Sequence, residues 1–372
     1  MSTFNGVINE FPGIAVDLFE VLTSKLFFLS HCHSDHMRGL LENKDKLLGK
    51  IVLSEISAIF VKKQFGIRDE QLYVLKVSDE SPNEVSYEYE GKETTICVTL
   101  LPAQHCPGSV MFLFQSEDKN ILYTGDFRIS SCRFEKYSIL TSLTLHELYL
   151  DSTFLTKEYD YFPTQVESVR EICSLINKWL NENSDNKVFI KAPAQYSLEF
   201  LLMNIARKCK EKVFVPEQLQ DKYIYFEVLD DVISSNKFNS RIFLETGDTF
   251  KGKASFNPHN MILKPSALFW KRLSKGDKFS RVFDSNEFRV AYSSHCSLQE
   301  LKEFIEFLKP VKIFLNVKNS ETIQTLNSFW KSTEEKEIEK EDLSGKLEQF
   351  QRRLDRIIET SDTKMLTKRI KL

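Results

Sequence analysis

The 372-residue chain contains no uninterrupted apolar run near the ~18 residues that a membrane-spanning helix requires. Its opening stretch, MSTFNGVINE, lacks the basic start and apolar core of a secretory leader. Both absences predict a soluble, intracellular protein with no membrane partner. Seven cysteines, an odd number and widely scattered, argue against a disulfide framework and fit a reducing compartment. Glycine is scarce, with twelve residues against thirty phenylalanines, which points to well-filled cores in a chain long enough for two of them. A net charge of −3 makes no general case for nucleic acid. The basic residues are nevertheless bunched in RKCKEK (207–212) and WKRLSKGDKFSR (270–281). Such runs are ordinarily solvated faces; only a location beside a reactive cleft would make the second a phosphate track.

What the chain does have is histidine in telling places. Five of its seven histidines are His31, His33 and His36 in the run HCHSDH, His105 in LPAQHCPGS and His295 in AYSSHCS. The first run is an HxHxDH pattern and offers four ligand groups, Asp35 included, on one turn after an apolar strand. Neutral imidazole and carboxylate suit a borderline cation such as zinc, and packing does not account for polar ligands at this density. Cys32, Cys106 and Cys296 each neighbour a motif histidine. Alternation along extended backbone turns neighbours to opposite faces, so these thiols are assigned to the core.

The first 150 residues show short apolar stretches bounded by polar turns, at 26–30, 51–54, 95–101, 109–114 and 121–124, predicted as strands. From Val166 the pattern becomes α/β: helices over 166–181 and 197–210 alternate with strands over 187–191 and 212–215. Strand signals at 288–292 and 311–316 flank a helix at 298–308 and must return to the first half to bring His295 into its site. The predicted domains are 1–154, an α/β insertion over 155–284, a return segment over 285–330, and a charged tail over 331–372.

The chemistry assembles from these pieces. His31, His33, His105 and Asp126 make a first metal site of three imidazoles and one carboxylate. Asp35 and His36, with Asp126 bridging, make a second. Two cations ~3.5–4 Å apart suit phosphodiester hydrolysis, because together they activate water and stabilise the charge that develops on phosphorus. Asp126 stands in YTGDFR, where the glycine lets the backbone approach the metal. Ser109 is a candidate donor to a substrate phosphate, or equally a turn hydroxyl.

HxHxDH, HCPGS and TGD in this order resemble the metallo-β-lactamase superfamily, and specifically its β-CASP nucleases, over about residues 1–320. The resemblance implies an α/β fold: an αββα sandwich with an inserted β-CASP domain. It also implies further roles. Asp17 in IAVDLF supports the cluster from beneath, Asp151 in LYLDSTF is the first β-CASP marker, His295 the second and Val317 the third. In that family the second marker protonates the leaving oxygen and the first orients it. RNA-cleaving members carry a ligating histidine at the third marker, whereas Val317 cannot ligate. The resemblance therefore implies DNA as substrate, a tight first zinc and a weaker second cation, either zinc, magnesium or manganese.

Within the DNA branch the amino terminus, the stretch ILKPSALFW (262–270) and the absence of Gly-Lys before Glu199 resemble the hairpin-opening endonuclease of end joining more than the 5′ exonucleases of crosslink repair. Expected substrates are DNA ends, hairpins and single-strand/double-strand junctions, with 5′-phosphate and 3′-hydroxyl products. Some such relatives hold a zinc finger in the insertion; here 241–260 offers His259 and no cysteine, so that metal is not expected. The long regulatory tail of those endonucleases is also missing, which argues against binding of the end-joining kinase and ligase. Nuclear placement follows from the resemblance, Lys368–Lys371 (KRIK) being a weak import signal. Three rival readings are a lactonase or thioesterase, an RNA endonuclease and a non-enzymatic scaffold. The first leaves Asp151, His295 and the insertion without a role, Val317 opposes the second, and an intact ligand set opposes the third.

Overall fold

The computed structural model describes residues 4–78, 82–192, 198–223, 227–246, 257–284 and 286–331. Gln195–Ser197, part of the stretch before Glu199, and the tail over 332–372 lie outside them, as do residues 247–256 within the zinc-finger region. Met1–Thr325 forms one compact unit and Leu326–Leu372 a second.

Two sheets pack face to face in the first unit. Strands β1 (Ile14–Val16), β2 (Leu26–Phe28), β3 (Lys50–Ser54) and β4 (Leu72–Leu75) pair in parallel in that order. Against them lies a six-stranded sheet. Its strands β5 (Asn83–Tyr89), β6 (Lys92–Pro102), β7 (Val110–Gln115) and β8 (Asn120–Tyr123) form an antiparallel meander, extended in parallel by β9 (Glu147–Leu150) and β17 (Lys312–Leu315). Period-two alternation divides the strand residues between two cores. Val16, Phe28 and Val52 meet Phe112, Phe114 and Tyr123 between the sheets. Phe27, Ile51 and Leu53 face the other way, under Ala58, Phe60 and Val61 of α2 (Glu55–Phe65), which follows the short α1 (Leu40–Asn43). On the far side, Phe304 of α7 (Leu298–Leu308) packs against Phe127 and Phe134. The layers are those of an αββα sandwich.

After β9 and the short α3 (Ser138–Thr141) that precedes it, the chain builds a second core. Helix α4 (Gln165–Glu182) starts in a capping box between Thr164 and Glu167. Val169, Ile172, Ile176 and Leu180 on one α4 face join Leu201, Leu202 and Ile205 of α5 (Glu199–Cys209) over a seven-stranded sheet. That sheet comprises β10 (Lys187–Ala192), β11 (Val213–Phe214), β12 (Ile233–Ser234), β13 (Ile242–Thr246), β14 (Asn260–Ser266), β15 (Ser280–Asp284) and β16 (Glu287–Ala291). Its order is β12-β11-β13-β10-β14-β16-β15, parallel apart from the β15 edge.

The strand expected over 288–292 therefore does not return to the first half. It stays in the insertion sheet, paired with β14, because Val290 is buried in the insertion core. The insertion sheet runs past the expected boundary at 284. The loop after Ala291 crosses back with His295, followed by α7 and β17.

Candidate metal centre

Every motif residue leaves the carboxyl end of a strand: the His31 run after β2, His105 after β6, Asp126 after β8, Asp151 after β9, His295 after β16 and Val317 after β17. The strands are rigid and the loops carry the chemistry. His31, His33, His105 and Asp126 converge, each offering one ligand atom, with those atoms all within 4.8 Å of one another. His31 Nε2 and His105 Nε2 lie 3.0 and 3.1 Å from His33 Nδ1, and each lies 3.6 Å from Asp126 Oδ2.

The tautomers follow from the outer ring nitrogens. Ser30 Oγ donates to Asp17 Oδ2, so at 3.0 Å it accepts from His31 Nδ1; His105 Nδ1 donates to the Ser294 carbonyl at 2.9 Å. Both Nε2 atoms thus present lone pairs to His33 Nδ1, whose single proton can satisfy only one of them. Tetrahedral zinc with bonds of about 2.0–2.1 Å would set its nitrogens about 3.3–3.4 Å apart. Slight expansion of the observed triangle accommodates it. Burial keeps these rings neutral, as ligands must be: it lowers His31 well below the usual range, His33 to about 3 and His105 to about 4, helped by the neighbouring rings. The donor set fits a divalent cation.

The other oxygen of Asp126 faces differently. His36 Nε2 stands 3.2 Å from Asp126 Oδ1, a gap that a proton or a cation bridges, and Asp35 Oδ2 lies 3.9 Å from the same nitrogen. Burial opposes charge on His36, but Asp126 and Asp17 outweigh it and raise the ring well above its ordinary value. Burial likewise opposes charge on Asp126, and His36 and His295 hold its carboxyl well below the usual range. Asp35, with its side chain 37% exposed, belongs to no convergent group among the described residues.

Beneath the cluster, Asp17 collects four donors. Its Oδ2 accepts from His36 Nδ1 at 2.7 Å, Ser30 Oγ at 2.6 Å and Tyr123 Oη at 2.9 Å, and its Oδ1 from the Ser30 amide at 2.7 Å. Asp17 adopts φ 52°, a left-handed conformation uncommon outside glycine. It fixes His36 directly and His31 through Ser30. Across the cleft, Asp151 Oδ2 holds His295 Nδ1 at 2.9 Å, while Thr153 fixes the other carboxylate oxygen through its amide and hydroxyl. His295 Nε2 then points to Asp126 Oδ2 at 3.9 Å. Burial opposes charge on His295, yet Asp151 and Asp126 raise it to about 9. Ser152 Oγ bonds both the amide and the carbonyl of Val317, so the first and third β-CASP markers adjoin.

Some contributors were not apparent from sequence. Arg128 is buried and donates to the carbonyls of Ser293 and Pro163 at 2.9 Å each and to Glu300 at 3.2 Å, tying the Asp126 loop to the His295 loop. A charged residue inside GDFR was its only signal. Tyr123 lies inside the quoted YTGDFR and Ser30 just before HCHSDH, and the Ser294 carbonyl has no side-chain signature at all. Gly125 also makes room for Ser30, since a Cβ there would lie 2.7 Å from Ser30 Oγ. Ser109 is committed to its own turn, donating to the Cys106 carbonyl at 2.7 Å and accepting from the His105 and Cys106 amides. Cys32 donates to the Ser57 carbonyl and burial pushes its thiol to about 12, so it stays protonated.

The sandwich, the inserted α/β domain and the His/Asp cluster define a metallo-β-lactamase fold with a β-CASP insertion, and residues 232–321 match the family described as DNA repair metallo-beta-lactamase. Among curated proteins the chain is similar to Protein artemis of Gallus gallus, 31% identical over 354 residues (85% of this chain and 48% of that protein). Protein artemis of Homo sapiens is 30% identical over 349 residues (85% and 49%). The 5' exonuclease Apollo of Rattus norvegicus is 29% identical over 321 residues (83% and 54%). The chain spans about half the length of these relatives.

Proposed function

We propose that this protein is a metal-dependent DNA nuclease acting as an endonuclease on hairpins and overhangs during the joining of broken ends in the nucleus. The observation that carries the proposal is the His295–Asp151 pair, held at 2.9 Å and directed across the cleft at the same Asp126 oxygen that His31 and His105 face. A lactonase or thioesterase on this fold has no use for such a donor.

In this reading His31, His33, His105 and Asp126 hold one zinc, and Asp126 with His36 and Asp35 holds a second, weaker divalent cation. Bound there, the cations supply the Lewis acidity that activates water and stabilises charge on the phosphoryl oxygens. The protein's own groups do the rest. Asp17 and Ser30 keep the imidazoles oriented. Asp151 fixes the His295 tautomer, and Nε2–H donates its proton to the departing 3′ oxygen, leaving a 5′-phosphate and a 3′-hydroxyl. The chain matches Artemis and Apollo over nearly equal shares, 85% and 83%, so the endonuclease reading rests on the amino terminus, the stretch ILKPSALFW and the absence of Gly-Lys before Glu199. Valine at 317 supports DNA over RNA.

The test is cleavage by the purified protein with added divalent metal of a DNA hairpin with a blocked 5′ end, its RNA counterpart and a 5′-phosphorylated strand. Opening of the blocked DNA hairpin is expected. Stepwise release from the phosphorylated end alone would make the protein an exonuclease, and preference for the RNA hairpin would overturn the assignment of substrate.

A further inference from the structure

The basic run at 270–281 lies closer to the centre than its place in sequence suggests. His295 has Phe154 against it, ring centroids 5.9 Å apart; Phe154 stacks edgewise on Tyr159 at 4.7 Å, and the Tyr159 hydroxyl donates to the Leu268 carbonyl at 3.1 Å. The Arg272 amide donates to the Glu158 carbonyl as well. The segment that follows Asp151 thus anchors the start of the run two aromatic rings away from the candidate proton donor.

Beyond that anchor the surface combines exposed cations with rings. Lys271, Arg272, Lys275, Lys278 and Arg281 are all exposed. The one acid among them, Asp277, accepts from the Ser274 amide. Among the described residues only Lys271 of the five has an ion-pair partner, Glu158 at 2.6 Å. Next to them Phe269 and Phe283 meet edge to face at 5.0 Å, and the Arg289 guanidinium lies 4.7 and 4.2 Å from the two ring centroids. Leu268 is 68% and Phe283 48% exposed, apolar surface left in water among positive charges.

We infer that this face of the insertion is a track for single-stranded DNA leaving the scissile phosphate, its bases laid on Phe283 and Leu268 and its phosphates followed by Lys271, Lys275 and Lys278. The inference rests on the nuclease reading of the centre, since that reading supplies the strand. Rings bind bases of any sequence and cations track the backbone, which suits an enzyme that must accept ends of arbitrary sequence. A protein strand added to the β15 edge fits less well. The register shifts between Val282 and Asp284, and Arg281 and Asp284 place opposite charges along a short edge, features that discourage strand pairing.

The test separates the track from the centre. Binding of a fluorescent oligothymidine is measured in chelator, where nothing is cut, and cleavage of hairpins with and without a long single-stranded tail is measured with metal. Lys275→Ala/Lys278→Ala, at two exposed positions, is expected to lower the slope of log affinity against log salt by about 1.4, the value for two phosphate contacts to a single strand. Phe283→Ala is expected to weaken binding about tenfold with the slope kept, and Phe283→Tyr to restore it. Both variants should cut the tailless hairpin at the wild-type rate and lose ground only on the tailed one. Unchanged affinity and slope in the double variant, or equal loss on tailed and tailless hairpins, would overturn the track. A wild type that binds in this pattern yet cuts no DNA would support the track as a binding surface and remove the nuclease reading instead.

Discussion

On its Oδ2 side Asp126 meets His31 and His105, which burial keeps neutral, with the raised His295 farther off at 3.9 Å; on its Oδ1 side it meets His36, which two carboxylates raise well above its ordinary value, with a partly exposed Asp35 nearby. A lone pair that is already deprotonated binds a cation without first losing a proton, whereas His36 must give one up. In the proposed centre the same carboxylate would serve a tight site and a weak one, and the difference would lie in what surrounds it.

The largest disruption of this contrast is His31→Ala. It removes a ligand that Ser30 holds in place and is expected to abolish cleavage and the tightly held metal equivalent, with circular dichroism unchanged. Retained cleavage would remove the ligand assignment. His295→Ala keeps all four ligand groups of the first site and should lower kcat about 10²–10⁴-fold, the range for loss of a general acid, at unchanged metal content. Metal loss in parallel with activity would instead make His295 a ligand. Asp17→Asn weakens the grip on His36 Nδ1 and is expected to cost about 10–100-fold in affinity, mainly for the second cation. Titration calorimetry on protein already loaded with one equivalent reads this separately.

The smallest effect is in pH. As pH falls from 7 to 5 the second equivalent should leave before the first, because a proton competes for His36 while His33 and His105 stay neutral down to about 3 and about 4. In the chelated chain the sign follows from those depressed values: the stability that the two rings contribute is present above their ordinary value of 6.5 and is lost as pH falls through about 4 and then about 3. A melting temperature that rises on acidification across that window would contradict it.

Much of this centre was legible because metal chemistry demands particular residue types close together. HxHxDH puts four ligand groups on one turn, and Asp126, Asp151 and His295 each stand in a short motif at a strand end. The supporting contacts were harder to see. Arg128 acts on Ser293, and His105 on a backbone carbonyl, across more than 160 positions of sequence, and a carbonyl looks alike at every residue. The placement of β16 failed for a related reason. Five residues with a strand-like pattern report that a strand forms, but not which of two sheets it joins. The Asp17 hub was anticipated in role but not in reach, since Tyr123 arrives there from a different sheet.

The carbonyl that fixes His105 has a consequence for biosynthesis. Chains emerge amino terminus first. All four groups of the tight site are therefore made by Asp126, while Ser294 and His295 follow only after the whole insertion has been translated. The nascent chain can gather its metal ligands long before it owns the proton donor or the clamp that locks His105. In the proposed nuclease, metal loading can therefore precede competence.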